Sequence, residues 1–161
     1  MKKLLLILLC VPLIGLGQTM IPDANFEQAL INLGYDTGTP NGSVPTANIG
    51  TLTFLDVSSQ NISDLTGIED FTNLTWLECD DNQLTILNVS QNIIDFLYCE
   101  NNNLTSLDVS YLTDLYVLSC FNNQLTSLDV SQNTYLASLN CYGNQFMSLD
   151  VSNNSDLNFV S

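Results

Sequence analysis

Residues 74–92 read LTWLECDDNQLTILNVSQN, residues 94–110 IDFLYCENNNLTSLDVS, residues 115–133 LYVLSCFNNQLTSLDVSQN and residues 136–154 LASLNCYGNQFMSLDVSNN. Laid over one another, the four segments keep one register. Cysteine recurs at Cys79, Cys99, Cys120 and Cys141, at spacings of 20, 21 and 21. Asparagine follows at Asn82, Asn102, Asn123 and Asn144 with the same spacings. Leu77, Leu97, Leu118 and Leu139 precede each cysteine by two residues. Self-similarity at this period marks a stacked-repeat architecture.

Each segment also halves. The stretches LTILNVSQN, LTSLDVS, LTSLDVSQN and FMSLDVSNN echo the first halves with the same leucine spacing. Thr, Ser, Asp and Asn stand between the leucines, and these residues favour turns over helix. One coil cannot bury its leucines alone, so coils stack and share a continuous core. Parallel strands in successive coils then lie about 4.8 Å apart, and every repeat position becomes a column.

The pattern L-x-x-L-x-C-x-x-N-x-L resembles the leucine-rich-repeat family, with Cys where that family carries Leu. A looser unit precedes it from Leu52, with Val57 in the cysteine slot, and its NISDLTGIEDFTNLT stretch is similar to the first repeats of internalin-type bacterial proteins. The resemblance implies a leucine-rich-repeat solenoid, mainly β, with a parallel strand ladder on one side, short extended segments on the other and one short N-terminal capping helix. It also implies a secreted or cell-surface bacterial protein. Such proteins often carry further repeats and a C-terminal sorting or anchoring domain. The solenoid is assigned to residues 51–161 and is expected to be truncated, because LNFVS at 157–161 begins another coil and stops.

The N-terminus reads as an export signal over residues 1–17: Lys2 and Lys3, then an apolar run from Leu4 to Leu16, then a small-x-small site at Gly15-Leu16-Gly17. The run is too short for a membrane span, which needs roughly 20 residues. The chain thus has no expected transmembrane segment after cleavage. Lys2 and Lys3 are the only cations in the chain, so the mature part keeps all 17 carboxylates and no Lys, Arg or His. Nucleic acid is excluded as a partner, since nothing would neutralise phosphates. Catalysis is disfavoured, with no imidazole for proton transfer and no cation for an oxyanion. A carboxylate-only glycosidase would need a paired cleft, for which Glu78 and Asp80 are the sole candidates. The chain is read as not an enzyme.

Structural roles are assigned to the two inward columns. The asparagines Asn82, Asn102, Asn123 and Asn144 should hydrogen-bond backbone groups of neighbouring coils. The cysteines should be buried free thiols that act as small hydrophobes. In-register columns hold their Cβ atoms about 4.8 Å apart, beyond the usual disulfide value of about 3.8 Å. Tetrahedral zinc is excluded, because Cys79 and Cys141 lie roughly 14 Å apart.

A solenoid end needs a cap, assigned to residues 18–50. A helix is expected at about 23–33, with Asp23 as N-cap, Gly34 as stop, and an apolar stripe of Phe26, Ala29, Leu30 and Leu33. The following stretch to Asn48 reads as a polar loop. It only faintly matches a calcium loop, since Pro40 and Pro45 interrupt it and no Glu closes the ligand set.

The candidate binding residues stand on the outward strand positions: Phe54, Trp76, Phe96; Glu78, Tyr98; and, after each cysteine, Asp80, Glu100, Phe121 and Tyr142. Exposed aromatic stripes mark interaction sites, and Trp and Tyr are favoured anchors. The acidic field selects a basic protein or peptide, with a glycan stacked on Trp76, Phe96 and Tyr98 second. No cofactor is assigned. The alternative reading is a surface spacer rigidified by calcium on the column Asp108, Asp129 and Asp150, although calcium requires about 6–8 oxygen ligands.

Overall fold

The computed structural model describes residues 17–161. The expected signal segment therefore lies, but for its last residue, outside the described residues. A six-stranded parallel sheet runs β3 (Phe54–Asp56), β4 (Trp76–Glu78), β5 (Phe96–Tyr98), β6 (Val117–Ser119), β7 (Ser138–Asn140) and β8 (Phe159–Val160), in chain order. The register is unbroken: Leu55, Leu77, Leu97, Leu118, Leu139 and Val160 pair in succession. The chain is a leucine-rich-repeat solenoid with few helices.

The strands are short because only three residues per coil alternate out-in-out before the chain must turn. The inward leucines, and Cys79, Cys99, Cys120 and Cys141 after them, are buried. Leu87, Leu107 and Leu128 with Val89, Val109 and Val130 close the core from the opposite side. Burying each such side chain contributes about 1.5–3 kcal/mol, so stacking is the main stabilising force.

Turns follow from side-chain chemistry. Asp81, Asn101, Asn122 and Gly143, each just before a column asparagine, take left-handed backbone with φ of 52°, 52°, 52° and 68°. Asp, Asn and Gly tolerate that region. On the other side Asp108 accepts hydrogen bonds from the Ser110 amide (2.9 Å) and hydroxyl (2.6 Å). Asp129 and Asp150 each accept from the amide two residues on, at 2.9 Å. These hydrogen bonds from Ser110, Ser131 and Ser152 hold all three carboxyls below their ordinary value. The D-V-S triplet is thus a turn device.

The cap contains more than one helix and a loop. Helix α1 (Ala24–Asn32) packs Phe26, Ala29 and Leu30 inward, and Phe26 stacks on Phe71 with ring centroids 6.2 Å apart. Leu33 was expected in that stripe but is 45% exposed, because it is the C-cap residue and the chain turns away at Gly34. The stretch expected to be loop pairs instead. Strand β2 (Ser43–Pro45) joins β1 (Gln18–Met20) as an antiparallel ribbon, and a second helical turn, α2 (Thr46–Ile49), follows. Val44 and Ile49 explain this: both are fully buried against the core. Gly67, at φ 104°, lets the first coil approach this ribbon, where a Cβ would collide with Ile21 and the Met20 carbonyl.

Two carboxylates tie the cap together. Asp23 Oδ1 accepts the Asn25 and Phe26 amides at 2.9 and 3.1 Å. Its Oδ2 accepts the Ser63 amide and hydroxyl and the Asp64 amide at 2.8, 2.7 and 3.1 Å. Burial alone would raise this carboxyl, but those hydrogen bonds outweigh it and hold it below the ordinary value. Glu27, 1% exposed, accepts the Asn41 and Gly42 amides at 2.6 and 2.7 Å.

Candidate functional site

The asparagine column fixes the geometry of the strand face. Asn102 Oδ1 accepts the Leu84 amide at 2.9 Å, while its Nδ2 donates to the Cys79 and Cys99 carbonyls at 3.0 and 3.2 Å. Asn123 does the same for Leu104, Cys99 and Cys120, and Asn144 for Leu125, Cys120 and Cys141. Asn82 accepts the Gln60 and Ile62 amides and donates to Val57 and Cys79. Each amide thus bridges two coils. A second asparagine column, absent from the sequence reading, lies on the opposite side: Asn92, Asn133 and Asn154 are buried and donate to carbonyls of the preceding coil. Leu112 occupies its slot in the third coil and hides the periodicity.

The four thiols of Cys79, Cys99, Cys120 and Cys141 are free and buried. Burial pushes all four up from their ordinary value. The Cys79 and Cys99 thiols donate to the Tyr98 and Ser119 carbonyls, each at 3.4 Å. Such thiols are unreactive packing groups.

On this frame the outward residues form two aromatic groups rather than one stripe. Trp76 lies at the centre of the first. It stacks on Phe96 (4.6 Å, 20°) and Tyr98 (5.9 Å, 24°), and meets Phe54 edge-on (6.0 Å, 66°). Its indole Nε1 donates to Glu78 at 2.9 Å. Phe54 is 49% exposed at the rim. Phe121 and Tyr142 form the second group, stacked at 4.6 Å and 11°. Val117, Ser119, Ser138 and Asn140 separate the two with small or polar side chains. Sequence reasoning missed Tyr116, which extends the first group beyond the strand by an edge contact with Phe96 (5.9 Å, 63°). It stands one residue ahead of the repeat column, so column counting passes over it.

Carboxylates flank these rings. Partial burial pushes Asp80 up to about 6, aided by the charges of Glu100, Asp81 and Glu78. Burial likewise raises Glu100, with Asp81 and Glu78 adding to the effect. Burial and the charges of Glu78 and Glu100 raise the Tyr98 hydroxyl. The described residues contain no Lys, Arg or His to offset this field. Among them, no group of three or more acidic or thiol side chains is placed to hold a metal ion. No helix among the described residues is long and apolar enough to cross a membrane.

No known family profile matches the chain. It is similar to internalin J of Listeria monocytogenes serotype 4b (strain F2365), at 46% identity over 81 residues, which cover 47% of this chain and 9% of that protein. Among solved structures, the functional domain of internalin J, which includes a cysteine ladder, matches with a TM-score of 0.73 at 33% identity over 89% of this chain and 38% of that one. The internalin InlF of the same species matches at 0.70 and 27% identity over 88% and 43%. A leucine-rich-repeat protein of Leptospira interrogans matches at 0.59 and 25% identity over 73% and 33%. The chain spans less than half the length of each of these relatives. By repeat pattern, by strand ladder and by these relatives, the chain is an internalin-like leucine-rich-repeat protein.

Proposed function

We propose that the chain is a non-catalytic recognition module, exported to the outside of a bacterial cell, that binds a basic protein or peptide through its strand face. One observation carries this reading: the Phe54–Trp76–Phe96–Tyr98 group leaves aromatic surface open to water beside Glu78, Asp80 and Glu100, with no cation near it in the described chain. An aromatic patch gains by being covered, and an uncompensated acidic field draws a basic partner and rejects acidic ones. The chemistry of this face suits contact, since it presents acceptors and rings and neither an imidazole nor a cation. The similarity to internalin J supports a module of this class.

Calorimetric titration with an extended peptide of alternating arginine and apolar residues tests the reading. Binding should be saturable and should weaken at least tenfold in Trp76→Ala and Phe96→Ala, with the fold retained by circular dichroism. Undiminished binding in both variants, or none by the wild-type chain, would contradict it.

A further inference from the structure

Beside the strand face, where β5 and β6 begin, lies a shallow groove of about 410 Å³ lined by Asp95, Phe96, Asp114, Tyr116 and Tyr135. Its rings are open: Tyr116 is 49% and Tyr135 59% exposed. Phe96 and Tyr116 meet edge to face, so the groove presents one ring face and one ring edge. Its backbone is held by the ladder, with the Asp95 carbonyl accepting the Tyr116 and Val117 amides at 2.7 and 3.1 Å.

The two carboxylates here differ from the turn aspartates of the repeats. Asp56, Asp108, Asp129 and Asp150 each accept a hydrogen bond from their own turn. Asp95 and Asp114 accept none among the described residues, and they stand on adjacent coils. Burial and the Asp114 charge hold the Asp95 carboxyl above its ordinary value. Two like charges beside an apolar wall, with no cation in the described chain, leave a deficit that a ligand would fill.

We propose that this groove receives a single arginine side chain of the partner protein, its guanidinium stacked on the one ring face that the Phe96–Tyr116 pair presents and forking onto Asp95 and Asp114. A guanidinium is planar, weakly hydrated and matched to both surfaces, stacking on rings and pairing with carboxylates. A neutral sugar would use the rings and leave the charge pair uncompensated. This inference rests on the recognition-module reading and names the chemistry of one contact within it.

The test is an NMR titration of the protein with N-acetyl-arginine amide, and with the citrulline analogue as a neutral isostere. Arginine should shift the Asp95, Tyr116 and Tyr135 signals saturably, with a dissociation constant on the order of millimolar, and citrulline should not. Asp114→Asn and Tyr135→Ala, both at exposed positions, should each weaken the response at least threefold. Met147→Ala, at a fully exposed position that does not line the groove, should leave it unchanged. An equal response to citrulline, or one unaltered in both groove variants, would overturn the assignment. If the groove is silent while the peptide titration still depends on Trp76, this inference falls and the recognition reading stands. If the groove binds arginine while that peptide does not bind, the recognition reading falls, and with it the assignment of the groove to a partner's side chain.

Discussion

The repeats and the cap solve the same problem, satisfying buried backbone groups, in opposite ways. In the repeats one residue type does it in every coil: Asn82, Asn102, Asn123 and Asn144 each bridge two turns. In the cap each solution occurs once, through Glu27 on the Asn41 and Gly42 amides and Asp23 on the Ser63 and Asp64 amides. Repetition makes the ladder legible, whereas the cap depends on single side chains that no periodicity announces.

The contrast can be broken most forcefully inside the ladder. Asn102→Ala strands the Leu84 amide and loosens two cysteine carbonyls, and should cost about 2–3 kcal/mol in urea unfolding. Asn102 and Asn123 share the Cys99 carbonyl, so the double variant should cost less than the sum of the singles. Asn82 and Asn144 share no partner and should add. Additivity for both pairs would show that coils do not couple through this column.

In the cap, Glu27→Ala leaves two amides unpaired and should cost about 1–3 kcal/mol. A loss below about 0.5 kcal/mol would mean that water replaces the carboxylate there.

The next effect is electrostatic. Folding raises Asp80 from 3.8 to about 6. Between those values the folded chain holds a proton that the unfolded chain has released, so this group's contribution falls as pH rises through that window. Asp108, Asp129 and Asp150 are lowered by folding, so the stability they add is present above their ordinary value and is lost as pH falls below it. Asp80→Asn should therefore flatten the pH 4–6 slope and stabilise the chain at pH 7 by about 1 kcal/mol, water screening the remainder at a partly exposed site. An unchanged slope would assign it to other carboxylates.

The smallest effect concerns calcium. Because Asp108, Asp129 and Asp150 are engaged in their own turns, calcium should raise the melting temperature no more than sodium of equal ionic strength. A calcium-specific rise would restore the ion-braced spacer as the better reading.

The fold was legible because the ladder writes each column several times. Cys, Asn and Leu at a spacing of about 21 outweigh any single irregular residue. What stayed hidden was written once or broken. Val44, a lone apolar residue amid Gly, Pro and Asn, gave no alternation from which the β1–β2 ribbon could be read. The second asparagine column was interrupted by Leu112. The D-V-S aspartates read as an acidic surface, although their side chains close turns. At the candidate site, column counting identified Phe54, Trp76, Phe96 and Tyr98, which the structure brings together, but passed over Tyr116 and Tyr135. It also implied one stripe where Val117, Ser119 and Ser138 divide the face into two groups.

Trp76 is the only tryptophan in the chain and lies at the centre of the proposed contact surface. Its fluorescence, followed while the arginine-containing peptide is added, reports directly on whether that surface is covered. The account predicts a saturable change that persists at physiological salt in the wild-type chain and is lost in Phe96→Ala. A change that vanishes at physiological salt and is identical in Phe96→Ala would reduce the face to a diffuse negative field and contradict recognition through its aromatic rings.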